Sequence, residues 1–325
     1  MTPDALTPPV LADAPVLAHV VRGGMVESAH RATVAVTSRD GSVLQAWGEV
    51  SDPMLPRSSN KPLQALAMLR AGLDLPPHLL ALSSASHSGE QFHLDGVRAI
   101  LATVGLTEED LQNTPDLPYD ALEREAWIAA GQGPRPVAQN CSGKHAAMLA
   151  TCRTAGWDTA TYRDPGHPLQ QLMARTIEDL AGEPVAATTI DGCGAPVMAI
   201  STAGLARAFG RLAAAPRDTL EGRVAHAIRT SPEFLGGTRR DVTALIRGTE
   251  GAIAKDGAEA VYAVGLADGR GIALKVADGG QRARPVILAA VMRLLGVDST
   301  AYDVLEDAPI LGHGEPVGAV VAVGI

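Results

Sequence analysis

Strand-like runs with hairpin turn signals lie near both ends of the chain, and they restrict its fold more than any other feature. The runs span residues 32–37, 43–47, 260–264, 272–276 and 317–323. Arg39-Asp40-Gly41 separates the first two runs, and Asp268-Gly269-Arg270-Gly271 separates a later pair. Short polar connections that contain glycine are typical of β-hairpins. The pattern predicts one antiparallel sheet assembled from both terminal parts of the chain.

The middle of the chain, from about Pro76 to Gly182, has apolar residues mainly at helical spacing. The predicted helices span residues 62–70, 90–106, 120–131, 144–155, 195–215, 220–229, 239–247 and 286–295. The predicted fold class is therefore α+β, an antiparallel sheet from the N- and C-terminal segments with a helical lobe. We expect a flexible arm over residues 1–16, followed by a single domain over residues 17–325.

Composition excludes several classes of function. The net charge is −9 without a basic run, and aromatic residues make up only 3%, so neither a polyanion-binding surface nor a base-stacking platform is expected. The chain has no uncharged apolar stretch near the ~18 residues of a membrane span and no signal-peptide pattern at its start. Three cysteines are too few for a disulfide framework. We expect a soluble cytoplasmic protein that binds neither nucleic acid nor membranes.

Ser58-Ser59-Asn60-Lys61 precedes the predicted helix that Pro62 opens. A serine is a weak nucleophile until a base takes its proton, and residues at i and i+3 on a helix lie roughly 5–6 Å apart. Lys61 is therefore a candidate base for Ser58. The alternative is a serine that caps the helix beside a solvated lysine. The geometry stays open, because the residue before a proline is disfavoured in helical angles.

Two further segments hold candidate catalytic groups. Ser86, in the serine-rich run 83–90, has a hydroxyl that can relay a proton or hold an amide, although the run also reads as a polar loop. His87 beside it is a possible acid or base, or a histidine that bonds a loop carbonyl. Lys275 alternates with alanines on a predicted strand. It either faces solvent or belongs to a Ser-Lys arrangement of acyl-transfer enzymes.

Cys141 and Cys193 lie in turns flanked by glycine, and they are candidates for a metal site or a redox pair. Sulfur and nitrogen donors suit Zn²⁺, whose catalytic sites keep one coordination position open. The nitrogen could come from His145 or from deprotonated Lys144. The alternative is that both cysteines are buried and unpaired. Cys152, within a predicted helix rich in alanine, is expected in the core.

Several segments, in this order, resemble the asparaginase II family, the Rhizobium-type inducible L-asparaginases. They are Pro56–Pro62, Ala85–His87, Asn140–His145, Asp191–Gly194 and Leu274-Lys275. The runs Asn140–His145 and Asp191–Gly194 are the specific ones, since Ser-x-x-Lys also occurs in unrelated hydrolases. The likeness extends from about residue 17 to the last residue. It implies a serine-β-lactamase-like or glutaminase-like fold and a homodimer.

The resemblance also implies roles for individual residues. The implied catalytic residues are the nucleophile Ser58, its base Lys61, and a second Ser-Lys pair of Ser86 and Lys275. The implied zinc ligands are Cys141, Lys144 and Cys193. The residues implied near the substrate are Arg57, His145 and Asp191.

The function that the resemblance implies is hydrolysis of the side-chain amide of L-asparagine to aspartate and ammonia, with zinc as an accessory rather than an essential cofactor. Two alternatives stay open. One is another amide or lactam hydrolase, of the glutaminase or penicillin-recognising type. The other is a zinc or redox sensor without enzymatic activity that uses Cys141 and Cys193.

Overall fold

The structure, a computed structural model, describes residues 9–325. Residues 1–8 of the predicted arm lie outside the described residues. Pro9–Ala12 forms a short helix, α1, and the first strand begins at Val16. The predicted boundary between residues 16 and 17 stays a prediction.

The strands of the described chain form two sheets. They are β1 (Val16–Arg22), β2 (Met25–Thr37), β3 (Val43–Trp47), β4 (Pro53–Met54), β5 (Ala187–Ile190), β6 (Pro196–Ser201), β7 (Ile253–Gly257), β8 (Val261–Gly265), β9 (Gly271–Val276), β10 (Pro309–Gly312) and β11 (Glu315–Ala322). The larger sheet has the order β10-β11-β1-β2-β9-β8-β7, with β3 also paired to β2, and the smaller has the order β4-β6-β5.

The larger sheet joins the two terminal parts of the chain. Strand β1 pairs antiparallel with β11, with Ala18 opposite Ala322, and β2 pairs antiparallel with β9, with Thr33 opposite Lys275. Both predicted hairpins are present, as β2–β3 and β8–β9. The predicted α+β class, with one antiparallel sheet from the N- and C-terminal segments and a helical middle, is confirmed.

Most helices after α1 lie in the middle of the chain, and some of them pack on the larger sheet. They are α2 (Lys61–Arg70), α3 (Pro77–Ser83), α4 (Gln91–Ala102), α5 (Ala121–Ala129), α6 (Ser142–Ala155), α7 (Pro168–Ala181), α8 (Thr202–Ala213), α9 (Leu220–Thr230), α10 (Pro232–Leu235), α11 (Asp241–Gly248), α12 (Arg284–Leu294) and α13 (Tyr302–Glu306). Helix α8 packs on β2, β8 and β9, and α12 packs on β1, β8, β9 and β11. None of the helices described is long and apolar enough to cross a lipid bilayer.

One predicted helix, over residues 195–215, is wrong in its first part. Residues 196–201 form the buried strand β6, and only Thr202–Ala213 is helical. Ser201 separates the two elements, since its hydroxyl accepts a hydrogen bond from the backbone N–H of Gly204 and caps α8. A short apolar run before such a cap fits a buried strand as well as a helix.

Candidate active site

Ser58 lies in a strained turn that leads into α2. Arg57–Asn60 form one turn of 3₁₀ helix, and Arg57 has a φ of +52°, in the left-handed region. Such a conformation costs a non-glycine residue of the order of 1–3 kcal/mol and is concentrated at functional sites. Lys61 has φ −58° and ψ −36° despite the proline after it, so the helical alternative left open by the sequence is the one adopted. The turn leaves Ser58 half-buried.

Lys61 is buried and its amine contacts three groups. The Nζ atom donates to the carbonyl of Ala85 at 2.5 Å, to Oγ of Ser86 at 3.1 Å and to Sγ of Cys141 at 3.1 Å. No hydrogen bond joins the hydroxyl of Ser58 to Lys61 in the described part of the chain. Catalytic hydrogen bonds are often long before substrate binds. Lys61 is therefore placed at the junction of the segments that carry Ser58, Ser86 and Cys141.

The turn at 84–88 contributes Ser86 to this junction, while its neighbours bond elsewhere. His87 is fully buried, and its Nε2 lies 2.8 Å from Oγ of Ser142. Ser88 donates from its hydroxyl to the carbonyl of Gly236 at 3.0 Å. These two contacts hold the loop in place, and the partner of His87 is a hydroxyl rather than a loop carbonyl.

The amine of Lys275 bonds to two backbone carbonyls. Its Nζ atom donates to the carbonyl of Glu259 at 2.5 Å and to that of Val276 at 2.9 Å. It lines a second cavity of about 280 Å³ together with Arg57 and apolar side chains from residues 53–55. Within residues 9–325 no hydrogen bond joins Ser86 and Lys275. The hydroxyl of Ser86 bonds to Lys61 instead, and the catalytic role of Lys275 stays a prediction.

Lys255 is a buried lysine beside the site that the sequence reasoning missed. It lies on the edge strand β7, and its Nζ atom donates to the backbone carbonyl and to Oδ1 of Asp256, both at 2.6 Å. Burial, helped by the positive charges of Lys61 and Arg240, lowers the pKa of Lys255 to about 8 against the attraction of Asp256. In the short run Ile253–Gly257, a lysine next to an aspartate is typical of a solvated loop. The only local signal of a buried site is Lys-Asp-Gly directly before a strand-like run.

Because Gly257 has no side chain, strand β7 can lie close to the Ser58 turn. A Cβ atom at Gly257 would lie 2.9 Å from the carbonyl oxygen of Pro56 and 3.2 Å from the backbone nitrogen of Ser59. Ser59 is itself held there, because its hydroxyl donates to the carbonyl of Pro56 at 2.6 Å. This bond occupies the hydroxyl that could otherwise compete with that of Ser58.

Cys141, Cys193 and Lys144 form a buried cluster behind the Ser58 turn. Nζ of Lys144 donates to Sγ of Cys193 at 3.2 Å. A hydrogen bond from Cys141, together with the charge of Lys144, holds the pKa of Cys193 far below its usual range, whereas the pKa of Cys141 is raised. Burial alone would lower the pKa of Lys144, but the charges of Cys193, Cys141 and Asp191 raise it. These shifts favour the thiolate form of Cys193, the thiol form of Cys141 and the ammonium form of Lys144.

The donor set of this cluster fits a zinc ion. Two sulfur atoms and one nitrogen atom leave the fourth position that a catalytic zinc site keeps open. Nδ1 of His145 lies 2.6 Å from the hydroxyl of Tyr162, and burial lowers the pKa of His145 against the charge and hydrogen bond of Cys193. Among the described residues no group of three or more His, Cys, Asp and Glu side chains is arranged to hold a metal. Metal binding here would therefore depend on Lys144 losing its proton.

A polar cavity of about 190 Å³ brings five of the ten candidate site residues together. Its walls are formed by Arg57, Ser58, Asp116, Gln139, Asn140, Cys141, Asp191, Gly192, Cys193 and Ala258. Nε of Arg57 donates to Oδ1 of Asp191 at 2.8 Å. Pockets for drug-sized ligands measure about 300–1,000 Å³, so this cavity suits a smaller polar molecule. His145 does not line it.

Comparison with known proteins identifies a family to which the chain belongs. A family model described as L-asparaginase II matches residues 18–322. A search of curated protein sequences found no significant match.

Solved structures give only distant similarities. The native form of Mglu shares 15% identity at a TM-score of 0.44, covering 82% of this chain and 65% of that one. A LovD6 mutant of simvastatin synthase from Aspergillus terreus shares 13% identity at a TM-score of 0.37, covering 76% of this chain and 84% of that one. The chain thus spans slightly less than two thirds of the Mglu structure. Similarities this distant support no argument about substrate.

Proposed function

Because the chain belongs to the L-asparaginase II family, we propose that it hydrolyses the side-chain amide of L-asparagine to aspartate and ammonia, with Ser58 as the nucleophile. The observation that carries the proposal is the position of Lys61. Its amine contacts Ser86 and Cys141, and its own residue directly follows the turn that exposes Ser58 to the polar cavity. A buried amine beside a half-buried serine is the arrangement that activates a hydroxyl for attack.

The reaction starts with the side-chain amide carbon of the substrate next to Oγ of Ser58. Lys61 in its neutral form takes the hydroxyl proton as Oγ bonds to the carbon, and the carbonyl oxygen becomes an oxyanion. The backbone N–H groups of Ser58 and Ala258 have no acceptor among the described residues, and both residues line the cavity. These two groups are the proposed donors to the oxyanion.

The intermediate collapses when the carbon–nitrogen bond breaks. The proton held by Lys61 passes through the hydroxyl of Ser86 to the leaving nitrogen, and ammonia departs. Lys61, neutral again, then takes a proton from water as the water oxygen attacks the aspartyl ester. Cleavage of the ester bond releases aspartate and returns the proton to Oγ of Ser58. Lys255 and Asp256 form a buried ion pair whose lysine is close enough to Lys61 for their charges to interact.

Cys141, Lys144 and Cys193 are the residues that would hold a zinc ion. When bound, zinc would supply a Lewis acid and a positive charge at one wall of the cavity. The chain's own residues there have a separate task in the proposal. Arg57, fixed by its ion pair with Asp191, offers its remaining guanidinium N–H groups to a carboxylate of the substrate.

We also propose a homodimer formed through the outer end of the larger sheet. Apolar side chains are exposed there on β2, β10 and β11, with Met25 75%, Leu311 53% and Val317 39% exposed. Exposed apolar patches of this kind mark association sites. Sedimentation of the wild type and of Leu311→Asp tests this surface, since the variant should shift to monomer. A wild type that sediments as a monomer at all concentrations would exclude the dimer.

The test of the catalytic proposal is ammonia release from L-asparagine by the wild type, Ser58→Ala and Ser59→Ala, with zinc content measured on each sample. Ser58→Ala should lose at least about 10³-fold in kcat, because the residues of the relay act as a unit. Ser59→Ala is the matched control, since it removes a neighbouring hydroxyl that is occupied by Pro56. Near-normal turnover by Ser58→Ala would refute the nucleophile.

The same assay separates the alternatives. Faster ammonia release from L-glutamine, or turnover of a β-lactam, would move the substrate to another amide on the same site. A wild type that binds zinc but hydrolyses none of these compounds would favour the sensor. That reading leaves the contact between Lys61 and Ser86 without a role.

A further inference from the structure

Asp116 is a wall residue of the Ser58 cavity that no part of the proposed mechanism uses. The other carboxylate of the wall, Asp191, is paired with Arg57 at 2.8 Å. The side chain of Asp116 accepts only the backbone N–H of Leu117, at 2.8 Å, and no cationic side chain among the described residues pairs with it. Asp116 is exposed to solvent at the cavity wall, and no cationic side chain of the described residues neutralises it there.

The backbone holds Asp116 firmly at this place. Asp116 and Arg135 form an antiparallel bridge in which each backbone N–H donates to the other residue's carbonyl, at 3.3 and 3.0 Å. This bridge joins the two ends of the loop over residues 116–135, which contains α5. At its base, the side-chain amide of Asn113 donates to Oε1 of Gln139 at 2.7 Å. Asp116 thus lies at the end of a loop whose two ends are joined by hydrogen bonds.

The same loop is tied to the turn on the far side of the cavity. The hydroxyl of Thr114 donates to the carbonyl of Gly192 at 2.9 Å. Gly192 follows Asp191, which fixes Arg57. Asp116 and the guanidinium of Arg57 are consequently held relative to one another on the walls of one small cavity, one carrying a negative charge and the other positive.

A pair of opposite charges beside a nucleophile matches an amino acid that carries its amide on the side chain. Such a substrate has an ammonium and a carboxylate on its α-carbon. We propose that Asp116 binds the α-ammonium group of the substrate, so that the enzyme selects amides with a free α-amino group. Arg57 then takes the α-carboxylate, and the amide extends toward Ser58. This inference rests on the proposed function and names the feature of the substrate that the site recognises.

Kinetics with matched substrates test the inference. L-Asparagine and succinamate differ only by the α-amino group, so kcat/KM is measured for both with the wild type, Asp116→Asn and Glu125→Gln. Asp116→Asn should lose about 10- to 100-fold on L-asparagine, mainly through KM, and stay within about twofold on succinamate. Asn keeps the acceptor for Leu117. Glu125→Gln removes an equal charge from an exposed position of α5 and should change neither substrate.

Equal losses on both substrates, or no loss on either, would overturn the inference while the amidohydrolase stands. Binding of L-aspartate and succinate, measured by calorimetry, decides the same question if the wild type hydrolyses no amide. The wild type should then prefer L-aspartate, and Asp116→Asn should abolish the preference. Equal affinity of the wild type for the two ligands would overturn the inference independently of turnover.

Discussion

The side-chain amine of Lys61 lies 3.1 Å from the hydroxyl oxygen of Ser86, which follows 25 residues later in the chain. The contact joins the first turn of α2 to the loop after α3, and both groups are buried. A buried lysine with a hydroxyl at hydrogen-bond distance can pass a proton without an intervening water. The hydrogen bond that the Ser86 hydroxyl makes in this structure is thus to Lys61, and its predicted pairing with Lys275 stays a prediction.

If Lys61 and Ser86 form one relay, their substitutions should not add. Lys61→Met should lower kcat by about 10²- to 10⁴-fold, the usual contribution of a general base. Ser86→Ala should also lower kcat, and the double variant should be no slower than Lys61→Met alone. Steady-state kinetics on the four proteins of this cycle measure the coupling. Additive losses would show that the two residues act separately.

The close approach of β7 to the Ser58 turn predicts a sensitive glycine. Gly257→Ala places a Cβ atom 2.9 Å from the carbonyl oxygen of Pro56, so the turn must shift. We expect kcat to fall at least about tenfold, because small displacements of a nucleophile cost large factors in rate. Gly166→Ala is the control, since a Cβ atom there meets no atom within 4 Å. Unchanged kinetics in Gly257→Ala would contradict this prediction and show that the turn accommodates the methyl group without displacing Ser58.

The zinc hypothesis predicts that zinc binding requires Cys193 but not Cys152. Cys193→Ser should abolish stoichiometric zinc binding, because it removes the sulfur that Lys144 contacts at 3.2 Å. Cys152→Ser is the matched control, since Cys152 is equally buried in α6 but contacts neither of the other thiols. Elemental analysis after dialysis measures the metal. Retention of zinc by Cys193→Ser, or its loss from Cys152→Ser, would contradict the assignment.

Buried His93 predicts a loss of stability in mild acid. Burial lowers the pKa of His93 to about 4 although its ring bonds to the carbonyl of Glu233. Between pH 6.5 and about 4 the unfolded chain binds a proton that the folded chain does not. Stability from this residue is therefore complete above pH 6.5 and falls by of the order of 3 kcal/mol as the pH drops to about 4. Urea unfolding at several pH values measures it.

The matched variants isolate this contribution. His93→Gln should flatten the dependence of the unfolding free energy on pH across that window. His78→Gln, at an exposed position beside the same aromatic cluster, should leave it unchanged. A slope that persists in His93→Gln would assign the effect to other groups, of which buried His87 is the first candidate, since burial also lowers its pKa.

The sequence predicts the hairpins and most helices because their signals are local. Asp40 and Gly41 produce a turn wherever they stand between two strand-like runs, and the backbone N–H of Ser38 indeed bonds to the carbonyl of Ser42 across it. The spacing of Ser58 and Lys61 and the glycine-flanked turns of Cys141 and Cys193 are likewise local signals of candidate groups. The segments that hold these residues meet at one small region of the structure.

Lys255 could not be found in the same way, because its role depends on burial. Nothing near it in the sequence indicates that β7 packs against the Ser58 turn, and a lysine next to an aspartate normally faces water. Lys275 was chosen because it alternates with alanines on a clear strand. Its surroundings, two backbone carbonyls and an apolar cavity, arise from the approach of residues 53–55 and 259, which no local pattern encodes.

The pairing of β1 with β11 has a consequence for how the chain reaches its fold. Ala18 and Ala322 are partners across a ladder near the middle of the larger sheet, so this ladder closes a loop of about three hundred residues. Contacts so distant in sequence make folding slow. Until β11 is in place, β1 and β10 both present unpaired backbone edges, and such edges recruit strands from other chains. Aggregation during refolding therefore competes directly with closure of this one strand pair.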